Sequence, residues 1–244
     1  MSDFYFIRHG QAGTRLQYDM LSDLGRQQCS LLGAYLARQA VTFSHVLMGG
    51  LHRHHETAES VLEAYKTDGV TIPDPVVDHG WDEFDLDAVY KSMAPQLSKV
   101  DPAFAAAYDA MQKQVAEQGK VQQSVINRRW NPCDSAVVRA WVAGTYQMTD
   151  GDETWLDFKA RIQKALSQLA AANPDGNVAV FTSATPTAIS LAQALGVDDH
   201  RMFNMAGVMI NSAISVLRLR DGEMRVFNFN SVPHLEDASM RTHR

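Results

Sequence analysis

The feature that most constrains this chain is the run Phe4-Tyr5-Phe6-Ile7, followed at once by Arg8-His9-Gly10. Four apolar residues without polar alternation read as a short strand buried on both faces, the kind found inside a parallel sheet. Open parallel sheets bind ligands outside the carboxyl ends of their strands. The strand therefore delivers a cation and an imidazole to the edge where ligand chemistry occurs, and Gly10 lets the backbone turn sharply there. The tripeptide suits a histidine nucleophile with an arginine holding an anion. It would equally serve as an ordinary polar strand exit, so the rest of the chain must decide.

That pattern recurs. Ser22 is placed to cap a helix running to about Gln39, with Leu21 as its staple. Residues 44–48 read as a second strand, ending at Gly49-Gly50, and a helix from about His52 to Lys66 carries Arg53 in its first turn. Residues 72–77, broken by two prolines, are at most an edge strand. An acidic loop, Asp82-Glu83-Phe84-Asp85, follows. Residues of about 86–150 read as helices punctuated by Pro95, Pro102, Gly119, Pro132 and Gly151, a helical insertion in a single domain spanning 1–244. A helix capped by Asp152 or Thr154 ends at Asn173-Pro174-Asp175-Gly176. Val178-Ala179-Val180-Phe181 is another buried-type strand, with Thr185 as N-cap and Pro186 opening the next helix, which Gly196 ends. Asp221-Gly222 joins two closing strands, about 213–220 and 223–229, as a two-residue hairpin. The alternation predicts an α/β fold: a three-layer α/β/α sandwich with a mostly parallel sheet.

Composition narrows the function classes. The net charge of -6 and the absence of a long basic run argue against nucleic acid as a partner. No apolar run is long enough to span a membrane, and no leader pattern precedes the first strand, so a cytoplasmic location is expected. Cys29 and Cys133 have no metal-type spacing and are expected to be thiols.

Three strand exits thus aim polar groups at one edge: Arg8-His9, Arg53 with its helix, and Ser183 to Thr185 with theirs, with Glu83 placed to join them. In this order they resemble the histidine phosphatase superfamily, which includes the cofactor-dependent phosphoglycerate mutases. Phe4 to Gln11 resembles the family's opening strand and Arg-His-Gly motif. Gly50 to Ala58 is similar to its Leu-x-Arg-x-x-x-Thr-Ala motif, Leu21 to Arg26 to its Leu-Thr/Ser-x-x-Gly helix start, and Asn228 to Leu235 to its closing Asn and His-Leu pair. The resemblance implies phosphomonoester hydrolysis through a phosphohistidine on His9, acting on a small phosphorylated substrate without metal or dissociable cofactor. A mutase is the less favoured outcome.

The residues suit that chemistry. To attack phosphorus His9 must be neutral, and two guanidinium groups nearby favour the neutral ring. Arg8 and Arg53 would bind phosphoryl oxygens and offset charge during in-line transfer. Glu83, beside the apolar Trp81 and Phe84, is the candidate to protonate the leaving alcohol and later take a proton from water; Asp82 and Asp85 compete for that role. One departure stands out. Aligned on its strand, the family's Ser-His-Gly segment becomes Thr182-Ser183-Ala184, so Ser183 stands where the family has a second histidine that donates to the phosphoryl oxygen. A serine hydroxyl is a shorter, uncharged donor. The alternative reading is therefore a weakly active or non-catalytic binder of phosphate ligands.

Further residues have weaker claims. His52, His54, His55 and Glu56 invite a metal reading, but His54 and His55 point apart on a helix. His55 could line the phosphate pocket or pack under it. His234 could replace the missing histidine in space, although its position matches the family's ordinary ending. Arg128, Arg129, Trp130 and Arg139 in the insertion are candidates to meet substrate.

Overall fold

The strand that opens the chain becomes the spine of the protein. In the computed structural model, which describes residues 2–13, 19–67, 69–118 and 132–243, β1 spans Ser2–Arg8. It lies between β4 (Gly176–Thr182), to which it is parallel, and β5 (Ile214–Arg220), to which it is antiparallel. Neighbours on both edges and cover on both faces leave no side for polar alternation. Phe4, Phe6 and Ile7 are accordingly fully buried, as are Val178 to Phe181 opposite them. Each such side chain contributes roughly 1.5–3 kcal/mol of burial free energy.

The remaining strands are β2 (His45–Met48), β3 (Val76–Val77) and β6 (Glu223–Ser231), giving the order β3-β2-β4-β1-β5-β6. The first four are mutually parallel; β5 and β6 form an antiparallel hairpin. Its turn is the expected Asp221-Gly222, both at positive φ (55° and 81°), as a hairpin of this twist requires. The proline-broken stretch contributes only the two-residue edge strand β3.

Helices flank the sheet. α1 (Asp23–Arg38) begins at Ser22, whose side chain accepts from the Gly25 N–H at 3.0 Å as expected. α1 and α2 (His52–Thr67) pack together over the face that carries Ile7, Val46, Ala179, Phe181 and Val216. By strand alternation Phe4 and Phe6 point the other way, where Phe6 meets Trp81 edge-on at 5.6 Å. α6 (Trp155–Ala172) precedes β4, and α7 (Ala184–Leu195) packs against β1, β5 and β6. The sandwich has three layers, as the sequence predicts. α8 (Asp199–Val208), capped by Asp198 on the Arg201 N–H, was not anticipated.

By contacts the chain divides into two compact units, residues 1–83 with 161–244, and residues 84–160. The second is helical in its described part: α3 (Leu86–Val100), α4 (Pro102–Gln118) and α5 (Pro132–Val142). It holds its own aromatic cluster, with Trp141 against Phe84 (4.9 Å), Trp155 (5.4 Å) and Phe158 (5.8 Å). Pro102 and Pro132 open helices, where a missing N–H costs nothing. Pro95, expected to interrupt the helices, lies inside α3. Arg139 is exposed on α5, whereas Arg128, Arg129 and Trp130 lie outside the described residues.

Candidate active site

The site grows from the end of β1. The His9 N–H continues the β1–β4 pairing to the Thr182 carbonyl (2.9 Å), and the His9 carbonyl accepts from the Ser212 N–H (3.1 Å). The backbone is thus fixed on both sides of the ring. Gly10 is required sterically: a Cβ there would lie 2.5 Å from the Gly25 carbonyl oxygen and 2.7 Å from Cys29 Sγ. That close approach seats the loop on the first turn of α1. Thr57 adds a tie from α2, accepting from the Gly10 N–H (3.2 Å) and donating to the Arg53 carbonyl (2.7 Å).

His9 itself is almost fully buried. Its Nδ1 lies 2.7 Å from the Gly10 carbonyl oxygen, which can only accept. Nδ1 therefore carries the proton, and Nε2 keeps its lone pair. The pKa is held well below the ordinary histidine value, first by burial, then by the positive charges of Arg53 and Arg8. The direction is the one the two arginines predict from the sequence, with the weight of causes altered: burial comes before the two cations.

Arg8 and Arg53 both reach this region and both are buried. Arg8 donates through Nη1 to the Met209 carbonyl and through Nη2 to that of His243 (3.2 Å). Arg53 pairs through Nη1 with Asp19 Oδ1 at 3.0 Å. Nothing in the sequence points to Asp19; its carboxylate occupies part of the guanidinium that the sequence leads one to expect on an anion.

The three acids of the loop after β3 separate by their partners. Asp82 accepts from the Gly50 N–H and pairs with His79 Nδ1 (2.8 Å). Asp85 caps α3 on the N–H groups of Asp87 and Ala88. Glu83 instead accepts, through Oε2, from the Thr185 N–H at 3.2 Å, in the first turn of α7. The loop before it is held by Arg161, donating to the carbonyls of His79 (2.8 Å) and Asp82 (3.2 Å), and by the Thr182 hydroxyl, donating to the Trp81 carbonyl.

The exit of β4 differs from expectation. α7 starts at Ala184, so its N-cap is Ser183, not Thr185, and Pro186 occupies the third helical position rather than the first. Proline is tolerated there because that N–H has no intrahelical partner in any case. Ser183 has cap backbone geometry but makes no side-chain cap bond. Its Oγ lies 2.8 Å from Nε2 of His54. Both residues are buried, and the His54 ring centroid is 6.0 Å from that of His9. From the sequence alone, His54 invites only a metal-cluster reading.

The remaining candidates disperse. Glu56 binds Arg26 (2.8 Å) and the Leu21 N–H (2.6 Å), and His52 is exposed. Among the described residues no group of three or more His, Cys, Asp or Glu is arranged to hold a metal ion. His55 is half-buried. His234 is not beside Ser183. Its Nε2 lies 2.8 Å from Oγ of Ser212, the turn residue whose N–H bonds the His9 carbonyl, and burial lowers its pKa to about 4.

Comparison with known proteins identifies the family and the fold. A model of the histidine phosphatase superfamily (branch 1) matches residues 4–140 and 134–232. Among curated proteins, the chain is 33% identical over 78 residues to the mitochondrial serine/threonine-protein phosphatase Pgam5 of Caenorhabditis elegans, 32% of this chain and 28% of that protein. The Caenorhabditis briggsae counterpart is 36% identical over 61 residues, 25% of this chain and 22% of that one. The chain thus matches under a third of either relative's length. Among solved structures, Bacillus stearothermophilus YhfR superposes with a TM-score of 0.66 at 18% identity, covering 97% of this chain and all of that one. A mutant phosphoserine phosphatase of Entamoeba histolytica bound to phosphoserine gives 0.56 at 17% identity over 96% of this chain and 100% of that one. Mycobacterial glucosyl-3-phosphoglycerate phosphatase with VO3 gives 0.59 at 19% identity over 94% of this chain and 98% of that one. The family model spans both ends of the sheet, the fold agrees with it, and the chain belongs to the histidine phosphatase superfamily, branch 1.

Proposed function

We propose that this protein is a phosphomonoester hydrolase that works through a phosphohistidine on His9. The observation that carries the reading is the bond from His9 Nδ1 to the Gly10 carbonyl. It leaves a buried, neutral Nε2 as the nucleophile, within the field of Arg53 and Arg8.

In the first step Nε2 attacks phosphorus in line, the P–O bond to the alcohol breaks, and Glu83 gives its proton to the leaving oxygen. In the second step water attacks the phosphohistidine, Glu83 takes the water proton, and the P–N bond breaks to release phosphate. Arg8 and Arg53 bind the equatorial oxygens throughout and offset their charge. The substrate class is a small phosphorylated hydroxyl compound, in keeping with the phosphoserine and glucosyl-3-phosphoglycerate named for structural neighbours. Cys29 is a buried thiol, which suits a reducing cytoplasmic setting.

A second reading is favoured by one observation, Ser183 at the position of the family's second histidine. In it the arginines hold a phosphate ligand without turnover. Steady-state assay with p-nitrophenyl phosphate, run beside vanadate binding, separates the two. Turnover by the wild type that is lost in His9→Ala supports the hydrolase. Vanadate binding with no turnover by the wild type supports the binder and overturns the hydrolase.

A further inference from the structure

The family motif around Arg53 leaves the next position open, yet here it is filled by a fully buried histidine with a defined partner. A buried imidazole in the first turn of a helix, 6.0 Å from the His9 ring, needs a physical account. Its environment is shaped for it. A Cβ on Gly49 would lie 2.3 Å from His54 Nδ1, so the residue that follows β2 is a glycine where the ring needs that space. Ser183, for its part, gives up the helix-cap bond its backbone geometry would allow and turns its hydroxyl to His54.

The proton on His54 can be assigned from these contacts. Nδ1 has no hydrogen-bond partner among the described residues, and Nε2 faces Ser183 Oγ at 2.8 Å. A proton on Nδ1 would bury an unmatched N–H, and Nε2 would then consume the serine's only proton. A proton on Nε2 avoids both: the imidazole donates to Oγ, and the hydroxyl proton stays available. The ring is neutral, since burial first and Arg53 second hold its pKa well below the ordinary value.

We propose that His54 is a positioning residue that turns the Ser183 hydroxyl toward the phosphoryl oxygen, so that the two side chains together supply the donor that relatives take from a single histidine. The inference rests on the hydrolase reading above. His54 comes from the start of α2 and Ser183 from the start of α7, so the donor is assembled from two elements. It carries no formal charge, which makes it a weaker donor than a protonated imidazole.

The test is a double-mutant cycle on the full-length protein with p-nitrophenyl phosphate, with folding of every variant checked by thermal melting. Ser183→Ala is expected to lower kcat by about a hundred- to a thousandfold, the loss of one donor to the transition state. His54→Ala is expected to lower kcat by about ten- to a hundredfold with KM nearly unchanged, and to add nothing in the Ser183→Ala background. His54→Gln, whose amide nitrogen reaches where Nε2 lies, should recover most of the kcat. Additive losses, or a His54→Gln no better than His54→Ala in a folded protein, overturn the proposal and leave the hydrolase reading standing. A wild type without turnover overturns both.

Discussion

The exits of β1 and β4 lie side by side in the sheet and are built on opposite principles. At the end of β1 the frame is local: Arg8, His9 and Gly10 are consecutive, and the proton on His9 is fixed by the carbonyl of the next residue. At the end of β4 the chain itself supplies only a serine hydroxyl, and its partner, His54, arrives from α2, 129 residues away in sequence. The two share one physical condition. Each imidazole is buried and held neutral, mainly by desolvation. The comparison teaches that one buried imidazole can be fixed within a tripeptide while its neighbour is fixed by an element distant in sequence, provided each is held by packing.

The arginines set the largest expected effect short of removing His9. Arg53→Met, which keeps the volume and removes the charge, should lower kcat with a phosphomonoester by about 10²–10³-fold. A steady-state rate within a few-fold of wild type would detach α2 from the β1 chemistry. Gly49→Ala should break the β4 exit selectively. Its methyl would press on His54 Nδ1 at 2.3 Å and Asp82 Oδ1 at 2.7 Å, and the ring cannot retreat without losing Ser183. A loss of about 1–3 kcal/mol in urea denaturation is expected, with a lowered kcat. An unperturbed protein would mean that the His54 pocket is not tight.

Stability against pH reports on both exits. His9, His54 and His234 have folded pKa values below the unfolded value near 6.5. As pH falls below 6.5 the unfolded chain binds protons that the folded chain refuses, so stability drops with falling pH. Each histidine contributes up to about 1.4 kcal/mol per pH unit over that range. Between pH 6.5 and 5, His54→Gln should have a slope shallower by one histidine's share; equal slopes would show that His54 protonates in the folded state. The smallest effect concerns Asp19. Its pair with Arg53 is half open to water, with the Asp19 side chain 44% exposed, so it is worth about 0.2–1 kcal/mol. Asp19→Ala should tighten inhibition by inorganic phosphate by a few-fold at most, and weaker inhibition would mean that Asp19 orients the guanidinium for the ligand.

How much of this was legible in the sequence follows the same division. Features carried by neighbouring residues were read correctly: the buried run of β1, the Ser22 cap, the Asp221-Gly222 hairpin, and the Arg8-His9-Gly10 exit. Arg53 and Glu83 were reached through the family pattern, and the structure brings both to the exits expected of them. The failures needed tertiary information. Thr185 looked like a cap because Pro186 suits a first helical position, but Ser183 holds the extended backbone that defines the cap. Pro95 reads as a helix breaker locally, yet it sits within α3, where its neighbours Met93 and Ala94 are fully buried. His54 was assigned by helix periodicity within its own segment, which says nothing about what β4 would bring against it. Its one sequence signal was Gly49-Gly50 ahead of a histidine-rich turn, a glycine that makes room for a ring.

The claim beneath all of this is that His9 Nε2 becomes covalently bonded to phosphorus. Rapid-quench labelling with a phosphate-labelled ester, followed by peptide mapping, tests it directly. The account predicts an acid-labile phosphate on the peptide containing His9, absent in His9→Ala. Turnover with no labelled enzyme, or with the label on another residue, would contradict it.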